Sequence, residues 1–113
     1  MTRSATILVA DPEESVRSFA LLVLSSAGHT VLLAASVAEA AKAAAASPLK
    51  VNVLMTAAVL PDGDADAVAA AVRRLHPEAR VLRAAEGGGG AVLPKPFDAA
   101  QLTAAVDSLL VQG

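Results

Sequence analysis

Thr6-Ile7-Leu8-Val9-Ala10-Asp11-Pro12-Glu13-Glu14 is the stretch whose reading decides the fold. A strand with one solvated face alternates polar and apolar residues. An unbroken apolar run from Thr6 to Ala10 instead suits a strand buried on both faces, as in a parallel sheet between helix layers. Asp11 then fits a helix N-cap and Pro12 the first helical position, with Glu13 and Glu14 near the positive end of the helix dipole. A strand that passes directly into a helix start predicts a β–α unit.

The same alternation continues outward from this point. Val16, Phe19, Ala20, Val23 and Ala27 recur at helical spacing, and Gly28 is a natural stop. Thr30 to Ala34 reads as a second strand, and Ser36 with Glu39 as a capping box for a helix to about Ala46, ended by Ser47-Pro48. Val51 to Thr56 is a third buried strand, followed by a loop through Leu60-Pro61-Asp62-Gly63. Asp64 caps a third helix whose inner face carries Val68, Ala71, Val72 and Leu75, closed by His76-Pro77. Ala79 to Ala84 and Ala91 to Leu93 are the fourth and fifth strands. Asp98 with Gln101 caps a final helix bearing Leu102, Ala105, Val106 and Leu109. This order predicts a single α/β domain over residues 1–113, a doubly wound parallel sheet of five strands.

Composition excludes several functions. The chain is 55% hydrophobic and 18% charged, which suits a folded domain. Its only aromatics are Phe19 and Phe97 and its net charge is −2, so nucleic-acid binding by stacking or by a basic face is not expected. The absence of cysteine removes disulfides, thiolate chemistry and sulfur-ligated metals. No apolar run reaches membrane-spanning length. Met1 to Ala5 lacks a signal-peptide pattern, and the expected compartment is the cytoplasm. Alanine is unusually abundant, which favours close approach of helices to the sheet.

Three segments carry a resemblance: Ile7-Leu8-Val9-Ala10-Asp11, Val53 to Gly63 with its Leu60-Pro61, and Leu93-Pro94-Lys95-Pro96-Phe97. In that order, at the ends of successive strands, they resemble the receiver domain of bacterial response regulators, over nearly the whole chain. The resemblance implies a flavodoxin-like fold and a place in two-component signalling. It also implies a site at the C-terminal ends of the strands, where open α/β sheets bind ligands in general. There the family places an acidic pair that holds Mg²⁺, a phosphoryl-accepting aspartate, a hydroxyl residue and a lysine.

Carried over position by position, only part of that set is present. Asp11 matches the first acid, but Pro12 stands at the second. Counting back four residues from Pro61 puts the acceptor position at Ala57, whose methyl cannot form an acyl phosphate. The hydroxyl position falls at Ala85, and Lys95 matches the lysine. The resemblance therefore implies a degenerate phosphorylation pocket of Asp11, Pro12, Ala57, Ala85 and Lys95, with no metal and no cofactor expected. Asp11 and Lys95 are expected to pair with each other. Pro96 is a candidate for a cis bond, as in the family's Lys-Pro.

Architecture departs as well. Parallel strands normally need a crossover of a dozen residues or more. Here Glu86 and Gly87 to Gly90 are all that lies between the fourth and fifth expected strands, about 17 Å when extended. The fourth crossover helix is expected to be missing, the alternative being a fifth strand paired antiparallel through a glycine turn. Arg80 and Arg83 bracket Val81-Leu82 in the fourth strand, which fits a face left open to water. The candidate interaction face is thus Arg80, Val81, Arg83, Gly87, Gly90 and Val92, with a two-component protein or a second copy as partner. Two rival functions are phosphotransfer through a substitute acceptor, Asp62 or Asp64, and small-ligand binding at the strand ends. The aspartates at 62, 64 and 66 lack a calcium loop's ligand set and read better as turn and cap. His29 and His76, beside Gly28 and Pro77, read as surface residues at helix ends.

Overall fold

The computed structural model describes residues 4–85 and 92–111. In chain order, β1 (Thr6–Ala10) leads to α1 (Glu14–Ser26), and β2 (Thr30–Ala34) to α2 (Val37–Ala46). β3 (Val53–Ala57) leads through a small ribbon, β4 (Val59–Leu60) and β5 (Gly63–Asp64), to α3 (Ala65–Arg73). β6 (Arg80–Ala85), β7 (Val92–Pro94) and α4 (Ala99–Val111) complete it. The main sheet runs β2-β1-β3-β6-β7 with every neighbouring pair parallel. This is the doubly wound parallel sheet that the sequence predicts.

Strand alternation divides the core into two layers. Ile7, Val9, Val53, Met55, Leu82 and Ala84 face α1 and α4. Leu8, Ala10 and Leu54 face α2 and α3, where Ala40 and Ala44 meet Val68 and Val72. Every residue of β1 and of β3 is buried, which accounts for their unbroken apolar runs.

The fifth strand is parallel, not the antiparallel alternative. Its register explains how six residues, 86–91, suffice for the return. Arg83 lies opposite Val92 and Ala85 opposite Pro94, so the chain steps back only two residue levels, about 7 Å, rather than a whole strand. Among the described residues no helix stands between β6 and β7. On the α1–α4 side Leu93 is buried; on the other side Arg83 and Pro94 are exposed.

Several local expectations are corrected. Helix α1 begins at Glu14, with Glu13 as N-cap, because the Asp11 carboxylate accepts from the Glu13 N–H at 2.9 Å and closes a turn before the helix rather than capping it. Leu75 is 52% exposed, since α3 ends at Arg73 and the inner stripe stops at Val72. Neither histidine is a surface residue at a helix end. Buried His29 accepts the Ala5 N–H on Nδ1 at 3.1 Å, tying the start of β1 to the turn before β2. His76 accepts the Val51 N–H on Nδ1 at 3.2 Å and its Nε2 lies 2.9 Å from the Ala44 carbonyl, a pairing that requires the Nε2–H tautomer. Both rings satisfy backbone groups where strands start, in place of longer secondary structure.

The loop after β3 is the β4–β5 ribbon, pinned across 25 positions of sequence. Asp62 accepts the Val37 N–H at 2.8 Å and the Ala38 N–H at 3.1 Å, so its carboxylate closes the N-terminus of α2. Gly63 sits so close to α2 that a Cβ would lie 2.9 Å from Val37 Cγ2. The two N–H bonds hold the Asp62 carboxyl below its ordinary value, Val37 contributing most. A carboxyl so depressed stabilises the fold above the unfolded-state value, near pH 4, and loses that contribution as pH falls through the lower folded value. Asp62→Asn should accordingly lower the Tm at neutral pH, with the gap from wild type closing in strong acid. Thermal melts across the acid range check this.

Candidate functional site

The register of the sheet brings the expected pocket together at the C-terminal rim. Ala10 lies opposite Thr56, which sets Asp11 level with Ala57; Ala57 lies opposite Ala84; and Ala85 lies opposite Pro94. The Lys95 N–H continues this ladder by donating to the Ala85 carbonyl at 3.1 Å. Asp11, Ala57, Ala85 and Lys95 therefore follow the ends of four adjacent strands. Pro12, on the turn into α1, is exposed.

Asp11 is the polar centre of this rim. Its residue is 1% exposed, and its carboxylate has a partner on each oxygen. Lys95 Nζ donates to Oδ2 at 2.7 Å, and the Glu13 N–H donates to Oδ1. Arg17 Nη1 donates to the Asp11 carbonyl at 2.8 Å, so α1 also holds the turn by its backbone. The Lys95 ammonium spans from the last strand to the first, keeping 22% of its side chain exposed. Beyond it, Lys95–Pro96 is cis, as the resemblance implies, and Phe97 packs against Phe19 with ring centroids 6.1 Å apart at 51°. Glu13, Val16, Phe19, Lys95 and Phe97 border an open cleft of about 340 Å³.

The donor set does not fit Mg²⁺. One carboxylate is present, both its oxygens are engaged by an ammonium and a backbone N–H, and Pro12 and Ala57 bring no side-chain oxygen. Among the described residues no group of three or more His, Asp or Glu side chains could hold a metal ion. Thr56, fully buried next to Ala57, has a hydroxyl whose Oγ1 donates to the Ala57 carbonyl at 2.9 Å. Nothing in the sequence marked Arg17 or Thr56, because each acts on backbone oxygen and leaves no spacing rule.

Asp62 and Asp64, the candidate substitute acceptors, both sit at helix starts. Asp62 is committed to the α2 N-terminus, and Asp64 caps α3 by accepting the Ala67 N–H at 2.9 Å. A cavity of about 630 Å³ lies at the opposite rim, among Lys50, Val51, His76, Arg80, Leu109 and Leu110, rather than at the strand ends expected for a ligand.

The expected interaction face splits in two. Arg80 stands on the α4 side of β6, beside that cavity, whereas Val81 and Arg83 stand on the α2–α3 side, because the positions alternate along a strand. Val81 packs at the margin of the core cluster beneath α2 and α3. Arg83 reaches outward to Asp66 of α3, Nη1 to Oδ1 at 3.9 Å, with side chains 49% and 91% exposed. A pair so solvated contributes about 0–1 kcal/mol. Val92 belongs to β7 by its backbone; Gly87 and Gly90 lie outside the described residues.

No family model matches the chain. Over 97% of its length it is 28% identical to the sensor kinase CckA of Brucella abortus. Over 95% it is 27% identical to the DNA-binding transcriptional regulator NtrC of Azospirillum brasilense. It spans only 13% and 24% of the length of those relatives. Among solved structures, the chemotaxis response regulator CheY4 of Vibrio cholerae matches with a TM-score of 0.84 and 22% identity, covering 95% of this chain and 99% of that one. The receiver domain of the hybrid histidine kinase CckA matches with a TM-score of 0.82 and 30% identity, covering 93% of this chain and 98% of that one. No helix among the described residues is long and apolar enough to cross a membrane.

Removing one partner of a buried ion pair leaves the other charge without compensation. Lys95→Ala should cost about 3 kcal/mol of folding stability, and Asp11→Asn combined with Lys95→Met should recover most of the loss. Urea unfolding of the single and double variants measures both.

Proposed function

The chain belongs to the response-regulator receiver family of two-component signalling, and from that premise we propose that it is a receiver that does not accept a phosphoryl group and acts by binding another protein. The observation that carries this reading is the Ala57 methyl at the end of β3, beside an Asp11 carboxylate already satisfied by Lys95 and the Glu13 N–H. Acyl phosphate formation needs a carboxylate oxygen at the acceptor position and a cation to screen the incoming charge. By the resemblance, the acceptor position is Ala57 and the cation-holding acids reduce to Asp11. Both requirements fail on the same rim.

The same geometry supports a fixed arrangement in place of a switch. A lysine released from its carboxylate partner could follow an arriving phosphoryl group. Here it pairs with a residue that is part of the α1 turn, and Ala85 brings no hydroxyl to respond. The surface we assign to a protein partner is the α2–α3 side of β6 and β7 beyond Val81, around Arg83 and Pro94, which are exposed. Its mixture of apolar strand surface and a solvated arginine resembles the makeup of transient interfaces.

Acetyl phosphate with Mg²⁺ should leave the intact mass of the protein unchanged. A stoichiometric, hydroxylamine-labile aspartyl phosphate would sink this reading. A two-component protein that binds the chain should do so equally with and without acetyl phosphate. Arg83→Glu should weaken that binding while shifting stability by less than about 0.5 kcal/mol, as surface changes usually do. Calorimetric titration and thermal melts separate the two effects.

A further inference from the structure

The two rims of the sheet are guarded very differently. β2 is the outer strand on one side and pairs only with β1. The Thr30 N–H donates to the Ala5 carbonyl at 2.9 Å, and the Ala34 carbonyl accepts from the Asp11 N–H at 3.0 Å. Thr30, Leu32 and Ala34 therefore turn their backbone groups toward β1. Alternation turns Val31 and Leu33 the other way, so the N–H and C=O of both point outward along the rim.

Sheets usually protect such an edge with lysine, proline, a bulge or brevity. The opposite edge is protected: β7 is three residues long and includes Pro94, which has no N–H. β2 is five residues of Thr-Val-Leu-Leu-Ala, and no acidic residue, lysine, arginine, proline or glycine occurs from His29 to Ser36. Apolar side chains continue the rim. Leu33 is 37% exposed and Leu21 of α1 is 38% exposed. Leu21 lies about 200° around the helix from Phe19, the residue that meets Phe97, and so on the flank toward β2 rather than toward α4.

We propose that the β2 edge is a docking surface for a second copy of this chain, added antiparallel about a two-fold axis through Leu32. The geometry is self-complementary. With Leu32 opposite Leu32 of the second copy, Val31 meets Leu33 of that copy and exchanges both backbone bonds with it, and Leu33 meets its Val31 in the same way. Every outward N–H and C=O of the two strands then has a partner, which a shifted register would not achieve. A two-fold perpendicular to the sheet keeps the faces in common, so Val31 and Leu33 stack against their counterparts beneath α1, and Leu21 closes over them. The strand carries no charge, so no like charges meet. The result is a continuous sheet through both copies, closed by symmetry.

Sedimentation velocity from low to high micromolar concentration tests this directly. A reversible monomer–dimer equilibrium is expected. Leu33→Lys should raise its Kd by about tenfold or more, because it sets a charge into the uncharged seam. Ala104→Lys, which adds the same charge on the exposed side of α4, should leave it unchanged. In the wild type, amide exchange at Val31 and Leu33 should slow as concentration rises, a reading that needs no variant to fold. A wild type that stays monomeric throughout, a dimer unaffected by Leu33→Lys, or amides insensitive to concentration would each overturn the proposal.

Discussion

A parallel strand can be laid beside its neighbour only after the chain has been carried back toward the start of the sheet, and the segment that carries it decides what covers the sheet. In this chain the returns after β1, β2 and β3 contain α1, α2 and α3, and the strands at the centre are buried on both faces. The return from β6 to β7 is six residues, 86–91, against the dozen or more that a parallel crossover ordinarily takes. Much else follows from this. β7 shortens to three residues and pairs only with the last half of β6, because that is as far back as the register needs. Arg83 can occupy a strand position because no described helix covers it and its side chain stays half-exposed, and Leu93 still anchors β7 because α4 covers the other side.

The polar groups at the C-terminal rim obey a second constraint. Each helix that starts there brings backbone N–H groups that need acceptors. Asp62 answers α2, Asp64 answers α3, and Asp98 accepts the Gln101 N–H at 2.8 Å to begin α4. Asp11 closes the turn into α1 and takes the Lys95 ammonium on its other oxygen. Each of these four carboxylates thus accepts at least one backbone N–H at this end of the sheet.

Much of the fold was legible in the sequence because burial on both faces writes itself as an unbroken apolar run. Thr6 to Ala10 matches β1 residue for residue and is buried throughout; Thr30 to Ala34 matches β2 as well, although as an edge strand it is buried only at Ala34. Capping boxes also read true: Ser36 Oγ accepts from the Glu39 N–H, and Asp98 and Gln101 bond reciprocally. What stayed hidden involved partners distant in sequence. His29 and His76 looked like helix-end surface residues because their acceptors and donors, at Ala5, Val51 and Ala44, lie 24 to 32 positions away. Asp62 looked like a turn residue for the same reason. The expected interaction face failed differently. Arg80, Val81 and Arg83 are close in sequence, but strand alternation sends Arg80 to the opposite side from the other two, a distinction that was available from the sequence and decisive for the site.

For the pocket itself, the sequence supplied the identities and the structure supplied their relation. Asp11 and Lys95 lie 84 positions apart, and that they pair follows only because β1 and β7, separated by β3 and β6, end level on one rim. The pair bridges the rim at 2.7 Å. It draws the turn before α1 and the segment after β7 over the ends of the intervening strands, while Phe19 and Phe97 close the outer side by ring contact. A charge-assisted bond and an aromatic contact thus hold the two ends of the rim. On the reading proposed above, what the chain conveys resides in the surfaces it presents, and among the described residues the two sheet edges differ, β7 shortened and ended by Pro94, β2 longer and uncharged.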